Sequence, residues 1–214
     1  MSRALAIMIV SGSLIAGCGP RAIALPDDPI ASAATCGVVA AAKARAAQAD
    51  IKAPLSMAAQ GDILRHALVV GARTPEFAQA DASAVIAGMS ERAGEVTDSD
   101  WQALIEPCDK AFPPPPEPAK LPDDPYVAGL GCDALGRFMR AALASDGRYE
   151  AELSRYNKLE TALDTRIAPL LAAHGKSGAE AAQAEKRKAM SSIVKLGRPD
   201  LLMDACVARY DSDG

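Results

Sequence analysis

The chain has 214 residues, is 50% hydrophobic but only 4% aromatic, and carries a net charge of −4. Much of the apolar content is alanine and β-branched runs are few, a balance that favours helices. The acidic balance argues against a nucleic-acid partner, which needs a clustered basic surface. Residues 25–112 carry 12 acidic and 7 basic side chains and residues 121–214 carry 14 and 13, so neither half can steer a strongly charged partner.

Taken in chain order, residues 1–17 read as a secretory signal. Arg3 supplies a basic start, and Ala4 to Ala16 form an apolar stretch too short to span a bilayer as a mature helix. The stretch ends in Leu14-Ile15-Ala16-Gly17-Cys18. This resembles the lipobox of bacterial lipoproteins: an aliphatic residue, two small residues and a cysteine. The resemblance implies cleavage before Cys18, diacylglycerol in thioether linkage on its sulfur, and fatty acylation (palmitate-type) of the new amino group. The competing reading is an ordinary secretory signal with a chance cysteine. Two or three acyl chains exceed the marginal membrane affinity of one, so such an anchor is stable. Gly19 is not the Asp that favours inner-membrane retention. The expected location is therefore the outer membrane, facing the periplasm, with residues 18–24 as a tether.

An internal repeat follows. Leu25-Pro26-Asp27-Asp28-Pro29 recurs as Leu121-Pro122-Asp123-Asp124-Pro125, and a cysteine lies eleven residues after each leucine, at Cys36 and Cys132. Each unit also closes alike, on Cys108 with Phe112 and on Cys206 with Tyr210. A pentapeptide, two cysteines and an aromatic in register predict two copies of one module, residues 25–112 and 121–214. Between them, residues 113–120 include Pro113-Pro114-Pro115-Pro116-Glu117-Pro118, which reads as a semi-rigid polyproline II spacer. Setting Cys18 aside leaves four cysteines with three connectivities open. The oxidising compartment predicts pairing, and the duplication favours Cys36–Cys108 and Cys132–Cys206. A redox or metal site is disfavoured because CxxC and Cys/His spacings are missing.

The periodicity predicts four helices per module and an all-α fold. In the first, these run from about Ala31 to Ala49, from a Ser56 cap, and from Thr74-Pro75-Glu76 to about Arg92. A fourth follows Thr97-Asp98-Ser99-Asp100, with Trp101, Leu104, Ile105, Cys108 and Phe112 on one face. In the second, a helix through Cys132, Leu135, Phe138 and Met139 breaks at Ser145-Asp146-Gly147. A longer one then carries Tyr149 to Ile167 and is kinked or ended by Pro169. Ser177-Gly178-Ala179-Glu180 reads as a capping box, and Pro199-Asp200 opens the last helix. Each disulfide then ties the first helix of a bundle to the last.

Chemistry is harder to find. His66 and His174 occupy different places in their modules, which disfavours an inherited catalytic or metal role. His174 beside Gly175 suits a helix end. The HExxH, GxxxxGK[ST] and GxSxG patterns do not occur after the signal, and Gly129-x-Gly131 lacks the context of a dinucleotide loop. The pairs Asp27-Asp28 and Asp123-Asp124 invite a cation, but too few oxygens are at hand, and turn or cap roles are favoured. Lys186-Arg187-Lys188 reads as a solvated basic face, and Trp101 as core.

The sequence therefore points to no catalytic residue, no metal ligand, no cofactor and no small-molecule substrate. The expectation is a non-catalytic, membrane-anchored interaction or structural module of the envelope with a protein partner there. The alternatives are an acid-stress chaperone or a toxin-neutralising (immunity) lipoprotein. Small periplasmic acid-stress chaperones resemble this plan loosely, in one disulfide between an early and a late helix. A cell-wall hydrolase stands further off, since it needs convergent carboxylates or a Ser/His pair.

Overall fold

Asp28 and Asp124 begin the two halves in the same way. Asp28 accepts a hydrogen bond from the Ala31 amide at 2.8 Å and Asp124 one from the Tyr126 amide at 2.9 Å. A proline, whose missing N–H costs nothing there, occupies the first helical position of both. The computed structural model describes residues 23–144 and 147–210. Cys18, the signal sequence and Ser145-Asp146 lie outside the described residues.

Among the described residues the chain is all-helical. The first half holds α1 (Pro29–Ala46), α2 (Met57–Gly71), α3 (Gln79–Thr97) and the short α4 (Ile105–Ala111), which follows a 3₁₀ turn over Trp101–Leu104. The second half holds α5 (Pro125–Leu143), α6 (Glu150–Ala173), α7 (Ala179–Ile193) and α8 (Pro199–Tyr210). None of these helices is long and apolar enough to cross a membrane.

Two further helix starts fall where capping chemistry puts them. The Ser56 hydroxyl accepts from the Ala59 amide at 3.2 Å, and α8 opens on Pro199. Several boundaries differ: α3 runs on to Thr97 rather than ending near Arg92, and the expected helix after Thr97-Asp98-Ser99-Asp100 is a 3₁₀ turn over Trp101–Leu104 before α4, without a side-chain cap. Helix α3 begins at Gln79, not at Thr74-Pro75-Glu76, because that segment is drawn across to the second half: Phe77 is 2% exposed and its amide donates to the Arg187 carbonyl at 3.1 Å. Tertiary contact outweighs a favourable local start. Helix α6 runs through Pro169 to Ala173. Pro169 is exposed, so the carbonyl it leaves without a donor one turn earlier lies on the solvent side, where water can serve it. Ser177 caps nothing; Gly178 is the residue before α7 and makes no side-chain cap.

In each half the first helix is central. Helix α1 packs on α2 and α3, and α5 packs on α6, α7 and α8. Disulfides Cys36–Cys108 and Cys132–Cys206 join first helix to last, with Cα separations of 5.4 and 5.7 Å across 72 and 74 residues. The two halves also share one continuous apolar core. Helix α2 lies against α8, and closely: a Cβ on Gly61 would stand 2.2 Å from the Asp200 carboxylate. Tyr149 donates to the Leu55 carbonyl at 2.8 Å and accepts from Gln60 at 2.7 Å, while Phe77 meets Phe138 edge-on at 6.1 Å. Residues 113–116 are non-helical and mostly exposed. The segment is held at both ends, by Arg65 donating to the Phe112 carbonyl at 2.9 Å and by Arg198 paired with Glu117 at 3.3 Å.

Candidate functional site

The acidic doublets resolve into caps. Asp28 and Asp124 are the N-cap residues, while Asp27 and Asp123 are exposed. The described residues contain no group of three or more His, Cys, Asp or Glu side chains able to hold a metal ion. Helix geometry explains the spacing without a ligand.

The two histidines have unlike surroundings. His66 is 1% exposed, with Nδ1 3.2 Å from the Ile63 carbonyl and its ring edge-on to Phe112 at 5.5 Å. Burial, with the Arg65 charge beside it, pulls its pKa from 6.5 down to about 4. It is a neutral packing residue at ordinary pH. His174 follows the last turn of α6 and stacks on Tyr126 with ring centroids 4.0 Å apart. Gly175 next to it takes the left-handed conformation, φ 66°, that ends a helix cleanly.

The basic run 186–188 is not simply a solvated face. Asp133, on α5, is fully buried, and a buried carboxylate needs a partner. Lys186 supplies it, with Nζ 2.7 Å away. Arg187 pairs with Glu76 of the first half at 2.8 Å and Lys188 with Glu185 at 3.0 Å, both at the solvent-exposed surface. That bond from Lys188 holds Glu185 below the usual carboxylate range, the direction opposite to what a general acid requires.

Asp133 and Lys186 belong to a wider network. Arg137 lies 3.2 Å from Asp133, 2.6 Å from Glu160 and 3.7 Å from Asp164, and Arg140 also pairs with Glu160. Three cations face three carboxylates. The open groove between α5 and α6 beside this network, about 670 Å³, is therefore charge-balanced at its Arg137 and Arg140 wall. Carboxylates clamped by guanidinium groups are poorly placed to exchange protons with a substrate.

A second groove, about 520 Å³, has a different character. It runs between α1 and α3, with Gly37, Ala41 and Ala42 on one wall, Met89 and Ala93 on the other, and Trp101 at the 3₁₀ turn. Arg45 is the charged residue on its lining. Trp101, expected in the core, packs against it only in part and forms groove wall instead. Sequence reasoning missed this groove because its walls are alanine, glycine and methionine, residues that carry no motif.

Compared with family models, curated proteins and solved structures, the chain matches none.

Proposed function

We propose that this chain is a lipid-anchored lipoprotein of the bacterial envelope, held through Cys18 and facing the periplasm. In this reading it is a non-catalytic interaction or structural module built by tandem duplication. The observation that carries the reading is the pair of disulfides, each joining the first and last helix of a half across 72 and 74 residues. Such bonds persist in an oxidising compartment, where the Leu14–Cys18 motif would send the chain. The matched Asp-Pro helix starts at Asp28-Pro29 and Asp124-Pro125 support common descent of the halves, with residues 113–120 as the join.

The anchor is tested by metabolic labelling with an alkyne fatty acid in cells expressing the chain or its Cys18→Ser variant. Label and membrane partition in the first, both lost in the second, are the expected result. A wild-type chain that takes no label overturns the anchor. Crosslinking in intact cells followed by pull-down tests the interaction role, and recovery of one stoichiometric envelope protein is expected.

The buried neutral His66 favours a second reading, an acid-stress chaperone. Burial of an unprotonated imidazole against Phe112, which leads into the proline segment, places an acid-labile contact beside the junction of the halves. Aggregation of an unrelated client at low pH, with and without the protein, decides it: no suppression removes the chaperone.

A further inference from the structure

The groove between α1 and α3 has the chemistry of a lipid site. Its walls, Gly37, Ala41 and Ala42 facing Met89 and Ala93, offer an alkyl chain apolar contact, with Ser90 and Thr97 also on the lining and the Thr97 hydroxyl already bonded to the Ala93 carbonyl. Met89 lies directly over Gly37, where any side chain would collide with it: a Cβ there would stand 2.1 Å from the Met89 methyl. A flexible thioether in that place adapts to the shape of an occupant. The volume, about 520 Å³, falls inside the range of roughly 300–1,000 Å³ typical of ligand pockets.

Arg45 adds the polar end. Its Nη1 donates to three neutral oxygens, those of the Gln48 side chain and the Ile51 and Ala53 carbonyls. It pairs with no carboxylate among the described residues, and its Nε and Nη2 donors make no hydrogen bond there. Arg137 and Arg187 on helix surfaces and Arg198 just before α8 are matched to Asp or Glu, while Arg209, like Arg45, donates to backbone carbonyls. A cation without an ion partner on an apolar groove is complementary to an amphipathic anion.

In the second half the corresponding face is lined by charged and aromatic side chains, and only a smaller pocket of about 270 Å³ is left there. Ninety-six positions separate Cys36 from Cys132, and the same step carries Gly37 to Asp133 and Ala41 to Arg137. There Asp133 binds Lys186, Arg137 binds Glu160, and Phe77 sits on Phe138. On the first-half face Gly37 is buried under Met89, while Ala41 and Ala42 remain partly exposed. We propose that the α1–α3 groove binds a free long-chain fatty acid, its alkyl chain along the alanine wall and its carboxylate on Arg45. This site goes beyond the anchoring role and does not depend on it.

Trp101 lines the groove and is the only tryptophan in the chain, so its fluorescence reads the site alone. The test uses the chain from Gly19 to Gly214, which keeps every described residue, made without acylation and with both disulfides formed. Stearic acid brominated at mid-chain is the probe. Saturable one-to-one quenching of Trp101 below the micelle concentration is expected, and Ala42→Phe should abolish it. Arg45→Gln should weaken binding about tenfold and Arg45→Lys much less, the size of one charge-assisted contact. The brominated methyl ester should bind about tenfold more weakly than the acid for the same reason. Ala93→Phe, from the opposite wall, replaces Ala42→Phe if that variant does not fold, as judged by circular dichroism. Quenching that never saturates, or appears only above the micelle concentration, overturns the proposal. So do acid and ester binding equally, or wall variants that bind as the parent does.

Discussion

The same face of the first helix is completed in two opposite ways in the two halves. In the second half, α5 buries Asp133 and answers it with Lys186 from α7, while Arg137 reaches Glu160 on α6. In the first half, α1 has Gly37 at the matching place and α3 lays Met89 over it, leaving an open apolar groove. Each half ties its first helix to its last by a disulfide, but α6 has 24 residues to the 15 of α2, so helix length differs along with the side chains. An ionic lid costs desolvation and must be satisfied completely. An apolar lid of small residues is tolerant and can be left ajar.

Four measurements test how far that comparison reaches, beginning with the largest expected effect. Replacing Cys36 and Cys108 together by Ser, or Cys132 and Cys206 together, should each cost about 4 kcal/mol, because each bond closes a loop of similar length. Urea unfolding of the two double variants checks this. Losses differing by more than about 2 kcal/mol would show that the two bonds are not equivalent.

Acid sensitivity should belong to the first half. His66 has a folded pKa of about 4 against 6.5 in the unfolded chain, so the unfolded state takes up the proton first as pH falls. Stability is whole above pH 6.5, declines between 6.5 and 4, and loses about 3 kcal/mol in total. Unfolding midpoints followed by Trp101 fluorescence from pH 7 to 4 should show this decline, and His66→Leu should flatten it. An unchanged slope in that variant would assign the decline to the carboxylates instead.

Asp133→Ala should cost about 3 kcal/mol, because it leaves the mostly buried Lys186 ammonium unpaired, while half-exposed Arg137 can turn towards water. Combining it with Lys186→Met copies the apolar pairing of the first half and should recover most of the loss. Thermal denaturation of the single and double variants reads the effect, and a double variant no better than the single would contradict it. Smallest of all, Asp28→Ala and Asp124→Ala should each cost about 1 kcal/mol, equally, as matched helix caps. Denaturant midpoints that differ between the two would show unequal caps.

Much of the frame was legible in the sequence because it depends on local rules. Asp-Pro before an apolar period starts a helix wherever it occurs, so α1 and α5 could be read directly. The disulfide pairing followed from the register of repeated cysteines. The readings that failed were those in which a distant segment intervened. Thr74-Pro75-Glu76 has the local chemistry of a helix start, yet Phe77 gains more by burial beside Phe138. Lys186 looks like one member of an exposed basic run, and only the buried Asp133 on another helix explains it. Trp101 has the helical spacing of a core residue, but the small side chains of α1 and α3 leave room beside it.

By itself, then, the sequence determined the helical class, the two cysteine pairs and the caps at Asp28, Ser56 and Asp124, since each depends on near neighbours or on a repeat visible along the chain. It also carries the Leu14–Cys18 motif, which lies outside the described residues and rests on sequence alone. Only the tertiary structure decided how the halves meet, through α2 against α8 and Phe77 against Phe138, and which face stays open. The reason is physical. Capping and periodicity are set within a few residues. Whether a helix face is filled by an ion pair, an aromatic ring or nothing depends on side chains a hundred residues away.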